Sequence, residues 1–370
     1  ALIELEYEEN GKSTKLVFSG DLGRPHQLLV EDPSLVETTD YLFLESTYGD
    51  RNHKDDSNSL DELAEAVAYA HRNGEKVIIP AFAVERSQQI IYALSLLREQ
   101  GRLPADMPVY LDSPLAIQAT EVFRRHPEYF DEETRERIAA GRHPLDLPNL
   151  RFSQTRDDSQ AINNTPGPAV VISASGMANA GRIKHHLRHN LWRKGASIVF
   201  VGFQAEGTPG RKIVNGARKI LLFGEEVAVA ARVFTINGFS GHAGQSELMD
   251  WLKSFKDHNH LRVILTHGEA KSQERLAALI RETLHLEPHI PAYREELILE
   301  PGQAMQPVVD ADKAAPRIDW EFLLQDSERL YAEFRKRVGQ VQTRTWTDQT
   351  ELRDRVLDVN RRMVELISEL

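Results

Sequence analysis

The 370-residue chain has no cysteine. That excludes disulfides, thiolate zinc sites and cysteine nucleophiles, so any metal must sit on histidine and carboxylate. The absence fits a reducing, cytoplasmic compartment. No apolar run approaches the ~18–20 residues of a membrane-spanning helix, so no membrane partner is expected. Positive charge is in deficit, with 45 Lys and Arg against 56 Asp and Glu and a formal charge of −11. Coating nucleic acid by charge alone is therefore disfavoured. Chemistry on phosphates is not, because metal ions and a local basic cleft can neutralise them in an acidic protein.

An initiator methionine is also lacking: the chain opens Ala1-Leu2-Ile3. Ile3, Leu5 and Tyr7 alternate with Glu4, Glu6 and Glu8, so a strand is already under way. Asn10-Gly11 marks a turn and Lys15-Leu16-Val17-Phe18 returns as the second strand of a hairpin. A start inside a strand leads us to expect a preceding segment, and such a segment could hold a signal peptide.

The length suits two compact domains plus an appendage. Tyr41-Leu42-Phe43-Leu44 reads as a buried strand. From about residue 57 short apolar strands alternate with amphipathic helices. The strands are Lys76–Ile79, Pro108–Leu111, Ala169–Ile172 and Ser197–Val201; the helices are Leu60–Ala70, Val84–Leu97, a stretch near Thr120–Ala140, and Ile183–Leu191. That alternation predicts parallel βαβ units. From about residue 210 a strand-rich region returns, with Lys219–Phe223, Arg232–Ile236 and Arg262–Leu265. Beyond Pro316 two long helical patterns follow.

Four apolar runs end in residues able to do catalysis: at Asp21, Glu45, His242 and His267. In layered α/β proteins ligands bind outside the carboxyl ends of strands. If these strands share one edge, two carboxylates and two imidazoles converge there, a set suited to a divalent metal and a proton donor. Gly20, Gly241 and Gly268 beside them permit close backbone approach. Each residue also has a plainer reading. Asp21 could be a turn aspartate, Glu45 a cap, His242 the start of the helix Gln245–Lys253, and His267 a core histidine.

The wording of the motifs separates these readings. Ser19-Gly20-Asp21-Leu22-Gly23, Leu44-Glu45-Ser46-Thr47-Tyr48-Gly49, Gly238-Phe239-Ser240-Gly241-His242-Ala243 and Leu265-Thr266-His267-Gly268-Glu269 resemble, in order, the later motifs of β-CASP nucleases of the metallo-β-lactamase superfamily. Pro80-Ala81-Phe82-Ala83-Val84-Glu85-Arg86-Ser87-Gln88, Leu111-Asp112-Ser113-Pro114 and Ser173-Ala174-Ser175-Gly176-Met177 between them also resemble that family. The resemblance covers residues 1 to about 300. It implies an α/β fold: a partial metallo-β-lactamase αββα sandwich at 1–56 and 211–310, a parallel α/β β-CASP domain inserted at 57–210, and a helical tail at 317–370.

The family's upstream His-x-His-x-Asp-His cluster is missing among the fourteen histidines. His258-Asn259-His260-Leu261-Arg262 comes nearest, but has arginine where the cluster needs aspartate. The resemblance therefore implies a chain that begins after that cluster and supplies part of a two-zinc site. It implies a zinc-dependent ribonuclease, with two Zn²⁺ per complete enzyme, giving 5′-phosphate and 3′-hydroxyl ends on single-stranded RNA. Asp21 would bridge the metals and His267 would bind one. His242 would donate the proton to the leaving oxygen, and Glu45 would orient and charge His242. Histidine at His267 resembles the RNA-processing members, where DNA-repair members usually carry valine. Ser175 and Gly176 could present amides to phosphate, and Arg86, Arg182 and Arg211 are candidate phosphate contacts. The fragment alone is expected to be inactive, and endo- or 5′–3′ exonuclease action stays open.

Two other classes compete: a catalytically incomplete RNA-binding scaffold of the same family, and a hydrolase of small phosphodiesters, which would need no long insertion. His185, His186 and His189 contain an i,i+4 pair but no His-Glu-x-x-His, and read as a polar helix face. Gly207-Thr208-Pro209-Gly210-Arg211-Lys212 lacks a phosphate loop's ending and reads as a turn. In the tail, Leu352, Val356, Val359, Met363, Leu366 and Leu370 form an apolar stripe on a helix starting near Asp348. It suits packing within the chain or a homodimer through the C-terminal helices.

Overall fold

A computed structural model describes residues 2–9, 11–53, 56–256, 260–299, 305–308, 320–343 and 346–369. The chain divides into two units. The first comprises Ala1–Ile220, Val227–Pro291 and Leu299–Ala304; the second comprises Leu221–Glu226, Ala292–Ile298 and Met305–Leu370.

Strands β1 (Ile3–Glu9), β2 (Lys12–Phe18) and β3 (Tyr41–Glu45) come first. Then β4 (Lys76–Pro80), β5 (Val109–Leu111), β6 (Leu150–Phe152), β7 (Ala169–Ser173) and β8 (Ser197–Phe200) follow. Helices α1 (Asp56–Arg72), α2 (Arg86–Glu99), α3 (Pro114–Arg125), α4 (Glu132–Ala139), α5 (Arg156–Asn164) and α6 (Ile183–Asn190) lie among them. Next come α7 (Pro209–Val214), β9 (Lys219–Leu222), β10 (Glu225–Ala228), β11 (Arg232–Thr235), α8 (Gln245–Lys253), β12 (Arg262–Thr266) and α9 (Ala270–Leu284).

The first sheet runs β1-β2-β3-β12. The β1–β2 hairpin is antiparallel with Glu9 opposite Lys12, although Asn10 of the expected turn lies outside the described residues. β3 is parallel to both β2 and β12. Its Leu42 and Leu44 are buried with Val17, Val263 and Leu265 against α8 and α9, through Leu248, Trp251, Leu276 and Ile280. The second sheet runs β11-β8-β4-β7-β5-β6, with every pair parallel. All residues of β4, β7 and β8 are buried, as expected for a parallel sheet covered on both faces. The mixed α/β architecture expected from the sequence is present.

The parts differ from expectation in specific places. The sequence pattern groups Arg232–Ile236 with the strand-rich region after residue 210. Its β11 portion instead pairs with β8, from Arg232 opposite Ser197 to Thr235 opposite Phe200, and is an edge strand of the second sheet. A short apolar run shows that a strand forms, not which sheet it joins. The stretch near Thr120–Ala140 is two helices with a 3₁₀ turn at Pro127–Tyr129 between them. Ser113 caps α3 by accepting from the Ala116 amide, with Pro114 at the first helical position. The turn expected at 207–212 passes into α7, capped by Thr208.

In the second unit β13 (Glu296–Ile298) pairs antiparallel with β14 (Gln306–Val308). Its helices span Trp320–Val338 and Trp346–Glu369. Along the expected stripe Val359, Met363 and Leu366 are exposed, so close packing within the chain is not seen at these positions. Arg317 and Leu370 lie outside the described residues. Among the described residues no helix is long and apolar enough to cross a membrane.

Candidate active site

Three of the four expected residues stand at the carboxyl ends of neighbouring parallel strands: Asp21 after β2, Glu45 ending β3 and His267 after β12. The fourth, His242, follows β11 of the other sheet. The chain leaves β11 through a 3₁₀ turn at Asn237–Phe239 and crosses to the first sheet. There the Ala243 amide donates to Leu22 O at 2.8 Å, and Gly244 bridges to Tyr48. Arg24 fastens the crossing, donating to Gly238 O and pairing with Glu247 at 3.3 Å.

The ends of β2 and β3 are tied by Ser19, whose Oγ accepts from the Glu45 amide at 3.0 Å. Gly20 takes a φ of 55°, left-handed backbone that glycine adopts without strain. His267 has a φ of 48°, sparse territory for a side chain with a Cβ. Its carbonyl is held by the Ser46 amide at 3.0 Å and the Thr47 hydroxyl at 3.0 Å. Gly268 allows that closeness, since a Cβ there would lie 2.5 Å from Ser46 Oγ and 2.8 Å from Ser46 O.

The structure brings the four together. His242 Nδ1 lies 2.8 Å from Glu45 Oε2 and 3.9 Å from Asp21 Oδ1. His267 Nδ1 lies 3.8 Å from the same Asp21 oxygen. Glu45 is fully buried, while Asp21 and His267 are exposed. Burial is the largest influence on His242 and disfavours its charge. The Glu45 hydrogen bond and the charges of Glu45 and Asp21 outweigh it, with Arg86 opposing, so the imidazole titrates above its ordinary 6.5.

Donor atoms of one tetrahedral zinc lie ~3.3–3.4 Å apart for bonds of ~2.0–2.1 Å. The 3.8 Å between Asp21 and His267 is somewhat longer, so the two could share a metal after a small side-chain adjustment. Asp21, Glu45 and His242 also present donors within 4.8 Å of one another. However, 2.8 Å between Glu45 and His242 is too short for two ligands and suits a charge-assisted hydrogen bond. Glu45 Oε1 is buried without a hydrogen-bond partner among the described residues. The set fits zinc by chemistry, and Asp21 with His267 would fill half of one tetrahedral shell.

A cleft of about 560 Å³ opens beside these residues, lined by Asp21, Phe82, Arg86, Gly176, Gly241 and His242 among others. Arg86 is buried, and burial lowers its pKa to about 10, so it remains a cation at neutral pH. Its guanidinium donates to Gln89 Oε1 and lies 3.0 Å from where a Gly241 Cβ would stand. The remaining candidate contacts fall elsewhere. Ser175 Oγ bonds Asn179 Oδ1 at 2.6 Å and does not line the cleft. Arg182 is held by Asp112 at 2.8 Å, Ser153 O and Gln154 O. Arg211 pairs with Glu206 at 2.7 Å. Neither arginine lines the cleft.

His186 is fully buried, 2.6 Å from Asp112 Oδ2 and 3.1 Å from Asn163 Oδ1, so that part of the histidine cluster ties α6 into the second sheet. One residue near the site is not marked by the sequence. His53 Nε2 lies 2.9 Å from His242 O, and its ring packs edge-on to Tyr48 with centroids 4.3 Å apart. Burial, helped by Arg24, lowers its pKa to about 4, so the neutral ring can donate to that carbonyl. No motif wording points to a histidine four residues beyond Gly49.

Two carboxylates and an imidazole at the strand ends of one sheet, met by a second imidazole from the end of the other, with a parallel α/β sheet inserted in the chain between them, make up a metallo-hydrolase type of architecture. Residues 87–213 match the Beta-Casp domain family, and residues 226–291 match the Zn-dependent metallo-hydrolase RNA specificity domain. The chain is 41% identical over 269 residues to ribonuclease TTHA0252 of Thermus thermophilus, covering 73% of this chain and 60% of that protein. It is 33% identical over 276 residues to the transcription termination factor FttA of Pyrococcus abyssi, covering 72% of this chain and 42% of that protein. The protein belongs to the β-CASP branch of the metallo-β-lactamase superfamily. It spans 60% or less of the length of these two relatives.

Proposed function

We propose that the protein is a zinc-dependent ribonuclease that hydrolyses phosphodiester bonds of single-stranded RNA to 5′-phosphate and 3′-hydroxyl ends. The observation that carries this reading is the buried Glu45 carboxylate 2.8 Å from His242, with His242 and Asp21 lining one cleft and His267 3.8 Å from Asp21. The likeness to a protein named ribonuclease and the matched RNA specificity domain support the substrate class.

Asp21 and His267 would hold metal. Two zinc ions, when bound, supply Lewis acidity and bring the pKa of water down to roughly 7. Protonated His242 gives its proton to the leaving 3′ oxygen. Glu45 fixes the ring through Nδ1, leaving Nε2 for the substrate, and favours the charged form of the ring. Arg86 sets a buried cation against the phosphate charge. Two donors cannot fill two tetrahedral shells, so the 370-residue chain alone is expected to bind zinc weakly and cleave no RNA.

Zinc content and single-turnover RNA cleavage, measured on the same preparations of full-length protein, test the assignment. His242→Ala should keep its zinc and slow cleavage by about 10²–10⁴-fold. His267→Ala should lose zinc and activity together. Parallel loss of zinc in His242→Ala would make His242 a ligand and overturn its role as proton donor. RNA binding without cleavage by the zinc-loaded wild type would leave a scaffold.

A further inference from the structure

Phe82 follows β4 and lines the same cleft as Arg86 and His242. It is 47% exposed, while Ala81 before it is fully buried. Its backbone is pinned, because Phe82 O accepts from the Ser87 hydroxyl at 2.7 Å and the Ser87 amide at 3.2 Å. A large aromatic ring on a fixed backbone, left half open to water, forgoes about half the stabilisation that full burial would give it.

Gly176 is placed to seat that ring. It follows β7, which pairs with β4 up to Pro80 opposite Ser173. A Cβ on Gly176 would lie 2.9 Å from Phe82 Cδ2 and 3.0 Å from Cε2. Any side chain there would displace the ring. The absent side chain thus serves the aromatic neighbour, beyond any use of the glycine amide.

We propose that Phe82 is a stacking platform for a nucleobase of single-stranded RNA next to the bond being cleaved, with Gly176 kept small to seat it. The proposal rests on the ribonuclease reading. A nucleotide presents a charged phosphate and an apolar π face. The cleft offers the matching pair, a buried cation at Arg86 and an open ring at Phe82. Stacking is indifferent to base identity because every base has a π face. It would position RNA without reading its sequence.

The test measures RNA binding rather than turnover, using zinc-loaded full-length protein carrying His242→Ala so that cleavage is slow enough for binding to be read first. Fluorescence anisotropy is read with single-stranded RNAs bearing one abasic residue at successive positions around the cleavage point. Binding should weaken roughly 5- to 150-fold at one position, as for loss of one base–aromatic stack. Adding Phe82→Ala should weaken intact RNA by the same factor and abolish sensitivity to that abasic position. Phe82→Trp should restore both, and Gly176→Ala should act like a milder Phe82→Ala. 2-Aminopurine at that position should be quenched with Phe82 present and not with alanine there. If RNA binds and the unmodified enzyme cleaves, but no position couples to Phe82, the platform is wrong and the ribonuclease reading stands. An equal loss for intact and every abasic RNA also overturns the platform. If no RNA is bound or cleaved, both readings fall.

Discussion

Replacing Glu45 by glutamine removes a charge and almost no volume, which makes it the sharpest probe of the proton-donor role proposed for His242. Glu45 is fully buried, its amide is anchored by Ser19 Oγ at 3.0 Å, and its Oε2 lies 2.8 Å from His242 Nδ1. Hydrogen bonds to charged groups contribute about 1.5–3 kcal/mol, and neutral ones about 1 kcal/mol. Glutamine keeps a neutral acceptor, so about 0.5–2 kcal/mol of preference for the imidazolium is lost. At about 1.4 kcal/mol per pKa unit, His242 should fall by roughly one unit. Burial and Arg86 would still press it down, and the Asp21 charge would be left to hold it up. The alkaline limb of the single-turnover pH–rate profile should therefore move about one unit toward acid. The deficit should be small at low pH and approach tenfold above both limbs, with zinc content unchanged. Stability follows the same sign. His242 has a raised folded pKa, so its contribution is full below the unfolded value of 6.5 and is lost as pH rises through the folded one. An alkaline limb that does not move in Glu45→Gln would refute the idea that this carboxylate charges His242.

Other sites yield equally concrete expectations. Asp112→Asn should destabilise the fold by about 3–5 kcal/mol in chemical denaturation, because it strips the carboxylate from buried His186 and from Arg182. Burial pushes the Asp112 pKa up, but the His186, Ser159 and Arg182 contacts prevail and lower it below 3.8. Its stabilisation should therefore be full above that value and lost as pH falls through the lower folded pKa, an acid limb that Asp112→Asn should lack. Gly268→Ala should cost about 1–3 kcal/mol by forcing Ser46 away, and should weaken zinc binding by moving His267; unchanged stability and zinc content would count against a tight seam there.

How far the sequence discloses the site depends on the kind of signal. Asp21, Glu45 and His267 end strongly apolar runs, and a strand's carboxyl end is a place one can name before seeing the sheet. Their common edge comes from β2, β3 and β12 being parallel neighbours, which only the sheet order reveals. His242 is named by motif wording, but its route is hidden: nothing in Val233-Phe234-Thr235-Ile236 says which sheet it joins, and only the pairing with Ser197–Phe200 shows it. Arginines are the least legible. Arg86, Arg182 and Arg211 look alike in a sequence, yet one is buried at the cleft and two are held by Asp112 and Glu206. A guanidinium's partner depends on tertiary packing, which no local pattern carries. Phe82 and His53 stay hidden for the same reason, since exposure and packing are properties of the fold.

The crossing at 236–244 explains why the inserted domain and the chemistry cannot be separated. β11 belongs to the second sheet, yet the residue six positions beyond Ile236 meets a carboxylate at the end of the first. Its place is fixed from both sides: Ile236 N donates to Phe200 O in the second sheet, and Ala243 N donates to Leu22 O beside the first. Arg24, from the loop after β2, grips Gly238 O and Glu247 across the same passage, and His53 reaches the His242 carbonyl. The segment that carries the imidazole is thus tied to both sheets, and its position depends on both. The cleft lies between the same elements, lined by Asp21 and His242 and by Phe82, Arg86 and Gly176. Contacts that RNA made with the inserted sheet would load the same scaffold that holds His242. If His242 is the proton donor as proposed, its alignment and the seating of substrate become one geometric condition, satisfied or lost together.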